Sequence, residues 1–101
     1  MEDAVRRTAS FLDDVRRRAV LKRTVLVVRC RIHDNQLDLE GDKPFTIPGK
    51  VALVKCIPDE VTYYPQGSAT GLTLSLRDGG GRERSLTVGA FTGLARVDAP
   101  R

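Results

Sequence analysis

With 101 residues the chain has room for one modest core, and its 41% apolar and 30% charged content is that of a globular fold, not a disordered or collagen-like one. Its 17 basic and 13 acidic side chains leave a net charge of +4, which permits an anionic partner without demanding one. The longest apolar run, Val25-Leu26-Val27-Val28, is far short of the ~18–20 residues of a membrane span, the opening residues interleave charge with apolar side chains unlike a secretory signal, and 2 cysteines do not fix the compartment.

Residues 2–23 predict a helix. Val5, Thr8, Leu12, Val15 and Ala19 recur at alternating spacings of three and four, which places them on one face, and Phe11 and Val20 widen the stripe. Glu2 and Asp3 at its start and Lys22 and Arg23 at its end suit the helix dipole. The stripe is longer than a small sheet covers, so the part from Leu12 onward is expected to pack and the first two turns to project. The run Arg16-Arg17-Arg18 with Lys22 and Arg23 could neutralise nucleic-acid phosphates; interleaved with Asp13 and Asp14, it reads as a solvated face.

From Thr24 the period becomes two. In TVLVVRCRI, Leu26, Val28, Cys30 and Ile32 share one side, and Arg29 and Arg31 lie on the other, which predicts a strand with one face buried. His33-Asp34-Asn35 is a turn, and Leu37 and Leu39 belong to the returning strand. Gly41-Asp42-Lys43-Pro44 breaks the pattern, and PFTIP, with proline at both ends, predicts an edge or crossing segment. VALVKCI over residues 51–57 is the next strand, then VTYY, closed by Pro65. After the loop GSATG, Leu72, Leu74 and Leu76 alternate with polar residues; Asp78-Gly79-Gly80-Gly81 predicts a hairpin turn, and Arg84, Leu86 and Val88 share a face of the partner strand. Thr92-Gly93 turns the chain into LARV. One helix followed by seven or eight short strands, with no helix between them, predicts an α+β fold in which an N-terminal helix packs on antiparallel sheets. Residues 1–101 are read as one domain, with helix over 1–23 and sheet over 24–101.

The chemistry-bearing patterns are thin. GSATG is followed by a strand and contains no lysine, whereas a phosphate loop needs a helix N-terminus and a lysine; its serine directly follows glycine, unlike a G-x-S-x-G elbow. The C-x-x-H spacing of Cys30 and His33 invites zinc, with Cys56 as a third ligand, but residues three apart on a strand point to opposite faces. No metal, cofactor or catalytic group is therefore expected. Cys30 shares a face with Leu26 and Val28, and Cys56 with Ala52 and Val54, so both are expected to point inward, either as two buried thiols or as a disulfide if their strands are neighbours.

Three pieces taken together carry a resemblance: FLDDVRRRAVLKRTV running into a Val-rich strand, YYPQGSATG before an alternating strand, and the closing VGAFTGLARV. They resemble the soluble part of the minor pseudopilins of the type II secretion H-subunit family, itself similar to the FimT and FimU minor pilins of type IV pili. That family has an A-R-x-x-A type segment in a long helix, a P-x-G-s-s-x-G loop and a closing T-G-r-v-r-v strand; the corresponding residues here are 15–21, 65–71 and 92–97. The resemblance implies a pilin-like fold and a non-enzymatic subunit of a periplasmic pseudopilus. It implies partners among other major and minor pseudopilins, engaged through the helix face of Val5, Leu12, Val15 and Ala19, with secreted cargo or the outer-membrane secretin as further contacts. It also implies a periplasmic domain anchored in the inner membrane by an apolar helix preceding residue 1. The DNA-binding relatives share a C-terminal G-R-x-R, where this chain reads Gly93-Leu94-Ala95-Arg96. DNA uptake through Arg82, Arg84 and Arg96 is thus the alternative, ahead of a cytoplasmic nucleic-acid-binding β-barrel.

Overall fold

The computed structural model describes residues 1–98. Helix α1 (Glu2–Leu21) precedes β1 (Leu26–Arg31), β2 (Gln36–Leu39), β3 (Phe45–Thr46), β4 (Val51–Ile57), β5 (Glu60–Tyr63), β6 (Leu72–Asp78), β7 (Glu83–Val88) and β8 (Ala95–Val97). The strands form two antiparallel four-stranded sheets, ordered β3-β2-β1-β5 and β4-β6-β7-β8. This is the α+β arrangement that the change of period predicts. The last three residues of the expected 24–101 sheet region lie outside the described residues.

The helix is the seam between the sheets, touching β1 and β5 of the first and β7 and β8 of the second. Its buried residues are Ala4, Val5, Thr8, Leu12, Val15 and Ala19, the predicted stripe with one addition. Thr8 keeps its hydroxyl satisfied in the core by donating to the Ala4 carbonyl at 2.7 Å. The expectation that the first two turns project is overturned, because Ala4, Val5 and Thr8 are as buried as Leu12. The reason lies on β7. Arg84 sits on its core-facing side and pairs with Glu2, which fixes the helix start against the second sheet. The same burial corrects the assembly face: Val5, Leu12, Val15 and Ala19 are consumed inside the chain and offer nothing to a neighbour.

The two cysteines are joined, Cα to Cα 6.6 Å, but not as sheet neighbours. Cys30 is on β1 and Cys56 on β4, so the bond links the two sheets. Cys56 also does not share a face with Ala52 and Val54. The β4–β6 register shifts between Leu53 and Lys55, and the extra residue of such a bulge inverts the alternation downstream. Leu53 opposite Leu76 and Cys56 opposite Leu74 therefore fall on one face, while Ala52 is exposed.

Among the described residues each outer strand has some protection along its edge. β3 is only 2 residues long, between Pro44 and Pro48. β5 is covered by the loop after it: Thr70 N–H donates to the Thr62 carbonyl at 3.0 Å, and Thr62 N–H donates to Thr70 Oγ1 at 3.0 Å. On β4, Asn35 of the β1–β2 turn donates Nδ2–H to the Val51 carbonyl at 2.9 Å and accepts from Leu53 N–H at 2.6 Å. The helix lies beside β8, and Asp13 accepts the Ala95 N–H at 3.1 Å. Short strands, bulges and covering segments are the usual protections of an edge.

Candidate functional site

Three segments far apart in the sequence meet at Arg16. Its Nε–H is shared between the Gly67 carbonyl at 3.0 Å and the Thr92 carbonyl at 2.9 Å. One helical turn earlier Asp13 holds Ala95. The middle of α1 thereby clamps both the GSATG loop and the loop between β7 and β8. These are the three stretches that carry the family resemblance, and they form one junction.

Gly93 shows how tight the junction is. It has φ +65, and a Cβ placed on it would lie 2.3 Å from the Gly67 carbonyl oxygen and 3.2 Å from Arg16 Cδ. Only glycine fits there. Tyr63 lies fully buried in the same region, its phenol pushed well above the ordinary range by burial first and then by the Asp13 carboxylate, with the Arg16 guanidinium opposing. It stays neutral. The G-S-A-T-G segment makes a strand connection: Ala69 N–H donates to the Ala90 carbonyl at 3.0 Å, and Tyr64 N–H closes on the Ser68 carbonyl at 2.9 Å.

The loop after β7 turns outward what the junction holds. Gly93 N–H bonds the Gly89 carbonyl at 2.8 Å, Gly89 N–H the Leu94 carbonyl at 3.1 Å, and Leu94 N–H the Thr92 hydroxyl at 3.3 Å. This framework displays Phe91 with 94% of its surface exposed and Leu94 with 50%. Beside it runs an open groove lined by Thr87, Gly89, Thr92, Leu94, Ala95 and Arg96. Such a surface has apolar area and backbone order to offer. It suits recognition rather than reaction.

The residues expected to touch DNA are not brought together as free cations. Arg84 is 17% exposed in its side chain and paired with Glu2, because its position in the β7 alternation faces the core with Leu86 and Val88. Arg82 is held by Asp78 at 2.8 Å. That carboxylate also accepts from the N–H groups of Gly80 and Arg82, and the Arg82 backbone bond is the main reason its pKa lies below the usual range. Arg96 is exposed and makes no ion pair among the described residues. His33 is an exposed turn residue. Among the described residues no cluster of three or more acidic, histidine or cysteine side chains could hold a metal.

Arg16 and Asp13 are the site residues that sequence reasoning missed. Arg16 lies four residues after Leu12 and three before Ala19, at the margin of the buried stripe, a spacing that sets it apart from Arg17. Within a basic run it reads as one more solvated charge.

No protein-family model and no curated protein matches the chain. In three dimensions it is similar to the type IV minor pilin FimU of Pseudomonas aeruginosa (strain PAO1). The TM-score is 0.74 at 15% sequence identity, and the match covers 98% of this chain and 93% of that one. The similarity is one of fold.

Proposed function

We propose that this chain is a non-enzymatic structural subunit of a pilin-like filament, and within that class the periplasmic part of a minor pseudopilin of a type II secretion system. The observation that supports it most is the end-to-end likeness to a minor pilin, combined with the meeting of all three resemblance segments at Arg16. Membrane attachment on this reading belongs to an apolar helical segment upstream; the helix among the described residues is not apolar enough to cross a membrane. Its partners are the other pseudopilins, with cargo and secretin as further contacts.

Disrupting the gene in the source organism tests the assignment. Loss of extracellular enzyme secretion with intact piliation and transformation is the expected result. Intact secretion with lost pili or lost DNA uptake would transfer the chain to the type IV class.

The second reading, a DNA-binding minor pilin, is weakened by the ion pairs that occupy Arg82 and Arg84. We expect only salt-sensitive, non-specific duplex association, with Kd on the order of 10⁻⁵ M or weaker near physiological salt. An anisotropy titration measures it. Sub-micromolar binding that falls when Arg96 becomes alanine would make DNA uptake the leading function.

A further inference from the structure

The helix is held more firmly along its second half than along its first. From Phe11 onward, Leu12, Val15 and Ala19 are buried, and Phe11 stacks on Phe45 with ring centroids 4.8 Å apart. Asp13 accepts the Ala95 N–H, Arg16 bonds two loop carbonyls, and Arg18 pairs with Asp42. Residues 2–9 bury only the small side chains of Ala4, Val5 and Thr8, with Met1 and Ala9 partly covered. Their polar groups bond within the helix, Arg6 and Arg7 to Asp3 and Thr8 to the Ala4 carbonyl. Among the described residues one side-chain bond ties this half to a sheet, from Arg84 of β7 to Glu2.

That bond is lopsided. The Arg84 side chain is 17% exposed and its Nε is buried without a partner, whereas the Glu2 side chain is 73% exposed. The cation is committed to its place and the anion is not. A guanidinium left buried after its carboxylate has gone is strongly disfavoured, so Arg84 must turn to water whenever the helix start moves away. The two events are one. Off the sheet, two helical turns are too short to persist in water, and the opening therefore takes the form of unwinding. It stops at Phe11 and Leu12, where the second grip begins.

We infer that Glu2 and Arg84 form an ionic latch, a conformational device by which residues 2–9 leave the second sheet as one unit while α1 from Phe11 onward stays seated. Closed, the latch holds the helix start over the part of the second sheet where Arg84 stands opposite Leu76 in the β6–β7 register. Open, it uncovers that part and sets a guanidinium free. The trigger is the charge of Glu2, which water, salt ions or a cationic surface can reach. The latch is a property of this chain's own fold and stands or falls independently of the subunit reading.

Hydrogen exchange of the full chain tests it, comparing the backbone N–H groups of residues 5–9, the first of which bonds the Met1 carbonyl at 3.0 Å, with those of residues 15–19. In the parent, residues 5–9 should exchange at least tenfold faster than residues 15–19. Glu2→Gln should speed residues 5–9 at least tenfold again and leave residues 15–19 unchanged. Arg84→Met keeps an unbranched apolar stem and removes the charge, so residues 5–9 should exchange no faster than in the parent. On that background Glu2→Gln should have no effect, because no buried cation is left to strand. Equal protection of the two stretches in the parent would overturn the latch. So would an equal speeding of both by Glu2→Gln, which would make the pair an ordinary stability contact. A Glu2→Gln effect that persists beside Arg84→Met would also overturn it, leaving Glu2 a partner of the helix dipole alone.

Discussion

Replacing Gly93 with alanine is expected to lower the melting temperature by about 15 °C or more. Two costs add. A residue with a side chain in the left-handed region costs about 1–2 kcal/mol, and the new methyl would sit 2.3 Å from the Gly67 carbonyl oxygen. That contact cannot be relieved by rotating a side chain, since the obstacle is backbone. The two loops must part, which disrupts the charge-assisted N–H that Arg16 shares between Gly67 and Thr92, an interaction of about 1.5–3 kcal/mol. A total near 3–5 kcal/mol follows, and at about 4–8 °C per kcal/mol for a domain of this size the shift is large. Gly79→Ala is the control, because a Cβ there meets nothing within 4 Å. Arg16→Ala removes the clamp from the other side and should reproduce about half of the Gly93 effect. Thermal melts by circular dichroism measure all three. A Gly93→Ala protein that melts within about 2 °C of the parent would mean that the loops do not press on one another as described.

Loss of the Cys30–Cys56 bond is expected to cost about 3–4 kcal/mol, from the chain-entropy relation for residues 26 apart in sequence. The bond crosses between two sheets that share no backbone ladder. Denatured, non-reduced protein should titrate no free thiol, and a Cys30→Ala, Cys56→Ala double variant should melt about 12–32 °C below the parent, with a reductant producing the same loss in the parent. Two titratable thiols in protein purified under air would remove the bridge from the account, with the rest of the fold unaffected.

Much of the architecture was legible because its periods are simple. Residues 2–23 hold one apolar stripe without Pro or Gly, and Leu72, Leu74 and Leu76 lie on the buried face of β6 as alternation requires. The failures have a common form: each depends on something far away in the chain. The bulge at Val54 adds one residue to β4 opposite β6, and VALVKCI alternates equally well with or without it, so alternation alone gives Cys56 the wrong companions. Arg84 was placed correctly beside Leu86 and Val88, but the acid that makes a core-facing arginine tolerable, Glu2, is 82 residues away. Arg16 was hidden in the same manner, its partners being main-chain carbonyls 51 and 76 residues distant. Backbone acceptors have no letter in a sequence.

The covered edges of the two sheets bear on how such a molecule lives among its relatives. A bare strand edge is an indiscriminate surface, since every chain carries the same row of N–H and C=O groups and any extended segment can add to it. Here Asn35 occupies one edge, Asp13 with its helix another, Thr70 a third, and prolines bracket the last. With part of each edge occupied in this way, fewer backbone groups are left to pair with a passing strand, and more of what could distinguish one contact from another falls to side chains.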